Sequence, residues 1–457
     1  MNLILVTIDC LRADRLGCLG YPKKITPNLD DLANGGVLFT QAISVGSWTA
    51  TSFISLFTST YPFMYGGQLY ITLLRNTLAQ VLKEAGYHTA GFHPNPLLSS
   101  YNGYHKGFDT FDDNITNQKS SKSLMRKPKE LVKRIIGTKG YLYEFAARIY
   151  LAMAGNPYTS AEALNSKAVR WLSSQRGRFF LWLHYMDCHV PYLLPSKSIS
   201  PLERYSILRL QSKAHNSPGG LSPQELNKFV ALYDAKISYV DEAIGSFLNM
   251  LKQMNIMDNT FVIMTADHGE QFKEHGDTGH GVHLYDELLH VPLIIDGPGL
   301  ENQVINQQVS LLDLAPTILD ILGIKKPKTF LGRSLLPLMK GKGDFGNLPV
   351  FSEDANTQRD FNGMKPKIDS SQGKKISLRT GKYKYIYTQG NQDELYDLEN
   401  DPQETHNIIS VEPETAMELR TKIMAHIEFE GKSMSVEKER IKTKIRMLKG
   451  GGKLGLA

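Results

Sequence analysis

The sequence predicts an α/β fold in which a mostly parallel sheet is flanked by helices. Continuous apolar runs such as LILVTI (3–8) and FFLWLHY (179–185) are typical of strands that are buried on both faces. They alternate with amphipathic stretches of helical period, for example AEALNSKAVRWLSS (161–174). A hydrophobic content of 41% and a charged content of 21% are ordinary for globular proteins and argue against global disorder.

Taken in chain order, the predicted elements alternate between helix and strand. The predicted strands are 3–8, 89–92, 179–185, 260–266 and 291–297, and the helix-like stretches that precede three of them are 78–86, 161–174 and 241–254. Because ligands of such sheets bind at the carboxyl ends of the strands, polar residues at these ends form a candidate site. Those residues are Asp9, Asp187, Asp267 and His268.

From about residue 351 the pattern changes. KKISLRTGKYKYIYT (374–388) alternates charged with β-branched and aromatic residues, as hairpin strands with one solvated face do. A helix-like segment starts near Glu412. The predicted organisation is a large α/β domain of residues 1–345 with a basic insertion at about 118–150 and a second insertion at 195–230, a small C-terminal antiparallel subdomain of residues 346–410, and a helical basic tail of residues 411–457.

The net charge of +6 comes from the end of the chain. The segment 431–457 has eight basic residues and two acidic ones, so the rest of the chain is neutral overall. A neutral body argues against a dedicated nucleic-acid-binding protein. The tail is either a solvated helix or a contact with an anionic surface, and a peripheral membrane contact therefore stays open.

The cysteine content and the apolar runs predict a cytoplasmic protein. Cys10, Cys18 and Cys188 have no zinc-binding spacing and fit a reducing compartment. The apolar start at 3–8 is too short for the core of a signal peptide. No run reaches the roughly 18 apolar residues that a membrane-spanning helix needs, so we expect no transmembrane segment.

Two segments contain residue types that bind metal ions. Asp9 directly follows the first strand, where a carboxylate can bind a hard cation, although a cap is the alternative for an isolated Asp. Asp267 and His268 follow the strand 260–266, and an Asp-His pair suits Mn, Zn or Fe better than a pure calcium site. Three more histidines follow within 15 residues, of which the first and last are candidates for a second metal ion: His275, His280 and His283.

Two further segments offer polar groups near the same edge of the sheet. HYMDCHVPY (184–192) places Asp187 and His189 at a strand end. SWTATSFISLFTSTYP (47–62) offers several hydroxyls ahead of a helix-like segment, whose N-terminus suits an oxyanion. The alternative is a plain N-cap formed by Thr49 or Thr51.

In combination, these segments resemble the sulfatase family of the alkaline phosphatase superfamily, from residue 3 to about residue 405. The likeness lies in ordered motifs, which are IDCLRADRLGCLGY, TPNLDDLANGGVLFTQAIS, SWTATSFISLFTSTYP, HYMDCHVPY, TADHGEQFKEHG, LYDELLHVPLII, LLDLAPTILDILGI and ELYDLENDPQE. The resemblance implies an alkaline-phosphatase-like sandwich and a metal-dependent hydrolase of sulfate or phosphate esters. It also implies that one divalent metal ion (Mn, Zn, Mg or Ca) is surrounded by Asp9, Thr49, Asp267 and His268.

The nucleophile motif departs from the family's pattern. Sulfatases carry Cys or Ser in a C/S-x-P-x-R motif and oxidise it to formylglycine, whereas here Thr49 takes that position, Thr51 replaces the Pro and Phe53 replaces the Arg. Threonine cannot become formylglycine, so Thr49 itself would attack sulfur or phosphorus. Water or another acceptor must then open the threonine ester, which is familiar in phosphoryl transfer and less so for sulfate. Sulfate and phosphate esters are therefore about equally supported as substrates.

The resemblance also suggests roles for four more residues. His189 and His280 would act in catalysis by holding the non-bridging oxygens or protonating the leaving group. Asp187 would belong to the substrate site and orient His189. Arg12 would contact either the site loop or the anionic group of the substrate.

The substrate is expected to be a small-molecule, glycan-linked or lipid-linked sulfate or phosphate ester. One alternative is a phosphodiesterase or phosphotransferase that acts on a lipid or polymer head group, as Thr-bearing relatives do, with the basic insertion at about 118–150 recruiting that substrate. An alternative of another class is a catalytically silent binding protein on the same fold, which the altered nucleophile motif would explain.

Overall fold

The structure is a computed structural model that describes residues 1–66, 68–113, 148–153, 155–194, 199–281, 283–346, 348–355 and 373–451. Its strands, numbered along the chain, are β1 (Asn2–Ile8), β2 (Val37–Ile43), β3 (His88–Phe92), β4 (Thr110–Asp112), β5 (Phe179–Tyr185), β6 (Thr260–Ala266), β7 (Gln271–Phe272), β8 (Thr278–Gly279), β9 (His290–Asp296), β10 (Gln303–Ile305), β11 (Val309–Ser310), β12 (Val350–Ala355), β13 (Lys374–Arg379), β14 (Tyr383–Thr388) and β15 (Glu394–Asp397). Its α-helices are α1 (Pro27–Gly35), α2 (Thr49–Thr58), α3 (Leu78–Glu84), α4 (Ala161–Ser173), α5 (Pro201–Asn216), α6 (Pro223–Gln253), α7 (Asp286–Leu289), α8 (Leu314–Ile321), α9 (Leu336–Met339) and α10 (Pro413–Gly451).

A nine-stranded sheet forms the centre of the described part of the chain. Its order is β10-β2-β9-β6-β1-β5-β3-β4, with β11 beside β2. All neighbouring strands run parallel except β9, which is antiparallel to β2 and β6. Helices flank the sheet in groups that pack among themselves, with α1 and α4 against α6, and α3 and α8 against α2. The predicted α/β fold with a mostly parallel sheet is confirmed.

The register of the three central strands brings distant residues to one edge of the sheet. Ile8 at the end of β1 pairs with Tyr185 of β5 on one side and with Ala266 of β6 on the other. Every residue of these strands is buried, which explains their continuous apolar sequences. Because the three parallel strands end in register, Asp9 and Asp267 emerge side by side.

Helix α6 differs from its prediction. The sequence pattern placed its start at residue 241, which is wrong, since the helix begins at Pro223. Ser222 caps it, and the side chain of Glu225 completes a capping box. The first half of the helix is more exposed and therefore has weaker apolar periodicity, but Ser-Pro-x-Glu was a readable start signal.

Between residues 350 and 397 the chain forms a separate antiparallel sheet. Its order is β12-β13-β14-β15, and its apolar side chains pack against α10 and Phe63. An antiparallel sheet was predicted in this region, whereas the boundaries at 346–410 and 411–457 stay a prediction. Residues 114–147, which contain most of the predicted basic insertion, lie outside the described residues.

Among the described helices, none combines the length and the hydropathy that crossing a lipid bilayer requires.

Candidate active site

Asp9 is the centre of a buried polar cluster at the edge where β1, β5 and β6 end. Its Oδ2 accepts hydrogen bonds from Asn95 Nδ2 at 2.9 Å and from His184 Nε2 at 3.2 Å. Burial acts to raise the pKa of Asp9, but the hydrogen bond from His184 and the neighbouring imidazoles outweigh it and hold the pKa below its usual range. The structure therefore favours a charged carboxylate at this position.

Asp267 and His268 lie directly beside Asp9. The Nε2 atom of His268 is 3.5 Å from Asp267 Oδ2 and 3.9 Å from Asp9 Oδ1. The other ring nitrogen of His268 is 2.8 Å from the carbonyl oxygen of Gly269, so we assign the N–H to Nδ1. The Nε2 lone pair then faces two carboxylate oxygens.

This arrangement fits a cation. Ligand atoms of Asp9, Asp267 and His268 all lie within 4.8 Å of one another, and all three side chains are buried. Asp267 Oδ2 is buried without a hydrogen-bond partner among the described residues. Burial and the charge of Asp9 raise the pKa of Asp267, while burial lowers the pKa of His268. Two carboxylates and one neutral imidazole are the ligand types that Mn²⁺, Zn²⁺ and Fe²⁺ prefer.

Thr49 is the first residue of α2, and its hydroxyl faces this cluster. Thr49 Oγ1 lies 3.3 Å from His268 Nε2. The cap alternative is not what the structure shows, because Trp48 occupies the N-cap position and its side chain makes no cap bond. The Thr51 hydroxyl donates to the Trp48 carbonyl oxygen at 2.9 Å. The Thr49 hydroxyl is thus the one directed at the site.

The loop before α2 is held by hydrogen bonds from both sheets. Ser44 and Ser52 donate their hydroxyls to the Asp267 carbonyl oxygen, at 2.5 and 2.7 Å. From the small sheet, Asp354 Oδ2 accepts the Ser47 hydroxyl at 2.7 Å. The hydroxyls of Ser47, Thr51 and Ser52 therefore hold this part of the chain in place. The hydroxyl of Thr49 is the one that faces the site.

His280 and His189 meet at the open side of the cluster, with ring centroids 5.3 Å apart. His280 Nδ1 is 3.0 Å from Glu270 Oε1, and the other oxygen of Glu270 accepts the Tyr192 hydroxyl at 3.1 Å. Burial acts to raise the pKa of Glu270, but His280 outweighs it and lowers that pKa. A buried carboxylate that orients an imidazole is the arrangement that acid–base catalysis uses. His189 Nδ1 lies 2.6 Å from the Val190 carbonyl oxygen.

Cys10 is a thiol inside the same cluster. It lies beside Asp9 with a φ of 61°, and its Sγ is 2.9 Å from Asp9 Oδ1 and 3.6 Å from His280 Nδ1. Burial and the nearby carboxylates raise the pKa of this thiol well above its usual range. The Cys10 N–H donates to Asp267 Oδ1 at 3.2 Å, so the residue links the two carboxylates.

Arg12 and Asp187 lie at the rim of the site and have other partners. The Arg12 guanidinium donates to both carboxylate oxygens of Asp14, at 2.9 and 2.7 Å, and to the Glu270 carbonyl oxygen at 2.9 Å. This favours the site-loop contact of the two alternatives for Arg12. Asp187 Oδ1 accepts from Lys236 Nζ at 3.2 Å, and its predicted role in orienting His189 stays a prediction.

The candidates for a second metal ion, His275 and His283, lie apart from this cluster. His275 Nδ1 is 2.7 Å from Glu287 Oε1 and its Nε2 is 3.0 Å from the Glu404 carbonyl oxygen. His283 Nε2 is 3.7 Å from Asp277 Oδ2. Within the described ranges, neither histidine belongs to a group of three possible metal ligands.

Sequence reasoning missed the residues that surround the predicted ligands. His184 was readable as the polar residue within a buried strand, and Glu270 as part of the same motif as Asp267. Asn95 and Cys10 had no comparable signal in the sequence, because asparagines and buried cysteines occur in many other settings. Their contribution depends on the strand register, which sequence periodicity does not give.

Comparison with known proteins identifies a family whose model covers most of the chain. The family model "Sulfatase" matches residues 1–324, which is more than half of the chain. A second model, "N-sulphoglucosamine sulphohydrolase, C-terminal", matches residues 280–429.

Two relatives and one solved structure illustrate the likeness. Arylsulfatase K of Bos taurus is 33% identical over 263 residues, which are 55% of this chain and 45% of that protein, so the match spans less than half of that relative. The uncharacterised sulfatase YidJ of Escherichia coli (strain K12) is 26% identical over 440 residues, covering 89% of this chain and 83% of that protein. The phosphonate monoester hydrolase of Agrobacterium radiobacter superposes with a TM-score of 0.73 at 22% identity, covering 94% of this chain and 96% of that one. At this identity the structural likeness shows the fold alone.

Proposed function

The chain belongs to the sulfatase family, and on that premise we propose that it hydrolyses a sulfate ester, or a related phosphorus monoester, with Thr49 as the nucleophile. The observation that supports this most is the position of the Thr49 hydroxyl, 3.3 Å from the Nε2 atom of His268 and facing the buried Asp9 and Asp267. A hydroxyl there is directed at charged groups and away from the helix cap.

A divalent ion would be held by Asp9, Asp267 and His268, with Thr49 beside it. When bound, such an ion supplies positive charge that makes a neighbouring hydroxyl more acidic and attracts the non-bridging oxygens of the ester. The contribution of the chain is to hold these groups in place. Asn95 and His184 fix the Asp9 carboxylate, and the N-terminus of α2 adds the positive end of its dipole.

The reaction needs proton transfers that the two histidines can perform. Thr49 attacks as the alkoxide after its hydroxyl proton has passed to solvent. Its oxygen forms a bond to sulfur or phosphorus while the bond to the ester oxygen breaks, and protonated His280 or His189 gives a proton to that leaving oxygen. Water then attacks the threonine ester, the same imidazole, now neutral, removes a proton from that water, and the Thr49 oxygen leaves as the alkoxide, which releases the anion and restores the protonated imidazole. Glu270 keeps His280 oriented in both steps.

Sulfate esters are the leading substrate class, with sulfated sugars as the proposed subgroup. Family membership and the match of residues 280–429 to the N-sulphoglucosamine sulphohydrolase C-terminal model support this.

The second candidate is a phosphate or phosphonate monoester. The chemistry of threonine supports this candidate. The hydrated aldehyde of formylglycine can expel sulfate by reverting to the aldehyde, whereas a threonine ester must be hydrolysed. A cytoplasmic location is retained as a proposal.

The test is a comparison of variants on matched substrates. Metal-stripped protein is assayed with aryl sulfate, aryl phosphate, aryl phosphonate and aryl phosphodiester after Mn²⁺, Zn²⁺, Mg²⁺ or Ca²⁺ is added back. Thr49→Ala is compared with Thr51→Ala, which removes a hydroxyl from the same turn that bonds only backbone.

We expect ion-dependent turnover that Thr49→Ala reduces by at least about 10³-fold and Thr51→Ala by less than about 5-fold. Preference among the four esters decides between sulfate and phosphorus. Equal activity of Thr49→Ala and Thr51→Ala would exclude Thr49 as the nucleophile. Absence of both turnover and metal binding would favour the binding-protein alternative.

A further inference from the structure

A second buried cluster of metal-ligand residue types lies where α10 crosses the small sheet. Glu353 belongs to β12, and His426 and Glu430 are one helical turn apart on α10. One ligand atom of each residue lies within 4.8 Å of the other two, and all three side chains are buried. We call these residues the Glu353 cluster. It shares no residue with the active site.

Glu430 is a buried carboxyl group whose described partners are a long ion pair and a second carboxyl group. Its side chain is 1% exposed, and within the described residues its oxygens accept no hydrogen bond from an N–H group and face the carboxyl group of Glu353 instead. The ion pair is long, with Lys374 Nζ 3.9 Å from Glu430 Oε2, and the ammonium group lies over the Phe63 ring. Two carboxyl groups that face each other in a buried site must share a proton or bind a cation, because two negative charges there are strongly unfavourable.

Glu353 and His426 are already oriented toward Glu430. Glu353 Oε2 accepts the Phe63 N–H at 3.0 Å, which directs the other oxygen at His426 Nε2, 2.6 Å away. The His426 ring is fixed by stacking on Phe351, with centroids 4.2 Å apart. Its position four residues before Glu430 puts both side chains on one face of α10. Three potential ligands from two distant segments thus converge.

We propose that Glu353, His426 and Glu430 bind a divalent transition-metal ion, with Zn²⁺ as the best-fitting probe. One imidazole nitrogen with two carboxylates suits Zn²⁺, Mn²⁺, Fe²⁺ or Co²⁺, whereas Ca²⁺ takes 6–8 oxygen ligands. His426 binds through Nε2 with its hydrogen on Nδ1, in place of the hydrogen bond to Glu353.

The ion would link three parts of the chain. Glu353 supplies a ligand from β12, and His426 and Glu430 supply ligands from α10. The segment after α2 is connected through the Phe63 N–H, which donates to Glu353. The neighbouring residue of β12, Asp354, binds Ser47 in the loop that carries the nucleophile. The metal site therefore stabilises the small sheet beside that loop, and it takes no part in the chemical steps.

The experiment counts metal ions in the full-length chain. Metal-stripped Glu430→Gln and Glu428→Gln are loaded with Zn²⁺, passed over a desalting column and measured for zinc per chain. Both variants are made in an Asp267→Asn background, which removes one of the predicted active-site ligands. Glu428 lies on the same helix with its side chain 66% exposed, so the control makes the same Glu-to-Gln substitution at a position that faces solvent.

We expect Glu430→Gln to bind one Zn²⁺ per chain fewer than Glu428→Gln. Zn²⁺ should also raise the Tm of Glu428→Gln by about 3 °C or more and leave that of Glu430→Gln unchanged. Equal zinc content in the two variants would overturn the proposal, because the carboxyls would then share a proton instead.

Glutamine has the shape of a protonated glutamate, so Glu430→Gln is expected to fold. If Glu430→Gln does not fold, amide hydrogen exchange of the Asp267→Asn chain, in which Glu430 is unchanged, tests the proposal. Zn²⁺ is expected to slow amide hydrogen exchange in residues 419–430 by at least about 10-fold, since opening of this part of α10 would require release of the ion. Exchange that Zn²⁺ does not change would equally overturn the proposal.

Discussion

The two buried clusters of this protein combine the same residue types, but the chain builds them in different ways. In the active site, Asp9 and Asp267 follow adjacent parallel strands, so the sheet register brings them together. In the Glu353 cluster, a strand and a distant helix supply the ligands. In both clusters burial raises the pKa of a carboxyl, Asp267 in one and Glu430 in the other. The difference is that the active site also has the Thr49 hydroxyl and two further imidazoles, those of His189 and His280, beside its carboxylates.

Because of this difference, we assign a catalytic role to the active-site cluster and a stabilising role to the Glu353 cluster. The active-site cluster opens toward His189 and His280, which can exchange protons with a substrate. The Glu353 cluster is enclosed by Phe351, Tyr61 and the apolar face of α10. A change in the first cluster should therefore act on turnover, and a change in the second should act on the free energy of unfolding.

The largest expected effect is that of Asp267→Asn. Loss of one carboxylate from the active site should reduce kcat/KM by about 10³-fold or more, because the ion is held less tightly and the charge beside Thr49 changes. Steady-state kinetics measure this loss. Zn²⁺-dependent protection of residues 419–430 should be unaffected, because Asp267 does not belong to the Glu353 cluster.

The next effect is that of Glu270→Gln. Removing the charge that orients His280 should lower kcat by roughly 10–100-fold with little change in KM, and should shift the pH dependence of kcat. Tyr192→Phe is the matched change, since it removes only one hydrogen bond to Glu270 and should cost much less. If the two variants behaved alike, Glu270 would have only a packing role.

A smaller effect is expected where the two regions meet. Ser47→Ala removes a hydrogen bond to the Asp354 carboxylate and should lower the free energy of unfolding by about 1–3 kcal/mol, with a loss of kcat of only a few-fold. Ser352→Ala removes the hydrogen bond to the Ser44 carbonyl oxygen in the same loop and serves as its comparison. Chemical denaturation and kinetics on the same samples separate the two effects. A loss of kcat as large as that of Glu270→Gln would contradict a supporting role for β12.

The smallest effect concerns His275, which pairs with the Glu287 carboxylate and, in the part of the chain that the structure describes, belongs to no group of three possible metal ligands. Burial acts to lower the pKa of His275, but the hydrogen bond to Glu287 outweighs it and raises the pKa above its usual value. The stabilisation is therefore fully present below about pH 6.5 and is lost as the pH rises through the folded-state pKa. His275→Gln should lower the Tm at pH 6 by about 1–2 °C and have less effect at pH 8. A loss that grows with pH would contradict this assignment, and Zn²⁺ should leave the difference in Tm between the two chains unchanged at both pH values.

The sequence by itself predicted the central sheet and the candidate metal ligands at its edge. Strands such as 179–185 and 260–266 were predicted at their observed bounds because burial on both faces requires continuous apolar residues. Asp9, Asp267 and His268 followed from one rule, that parallel strands end at a common edge. Thr49 followed from its place in a motif that resembles the family's nucleophile segment.

Only the tertiary structure decided which groups surround those ligands and how the C-terminal segment packs. Asn95, His184 and Glu270 reach the site through strand register and loop path, which local periodicity does not encode. Glu353 lies 73 residues from His426. A contact between a strand and a helix so far apart depends on how the small sheet packs against α10, and no spacing in the sequence reports that packing.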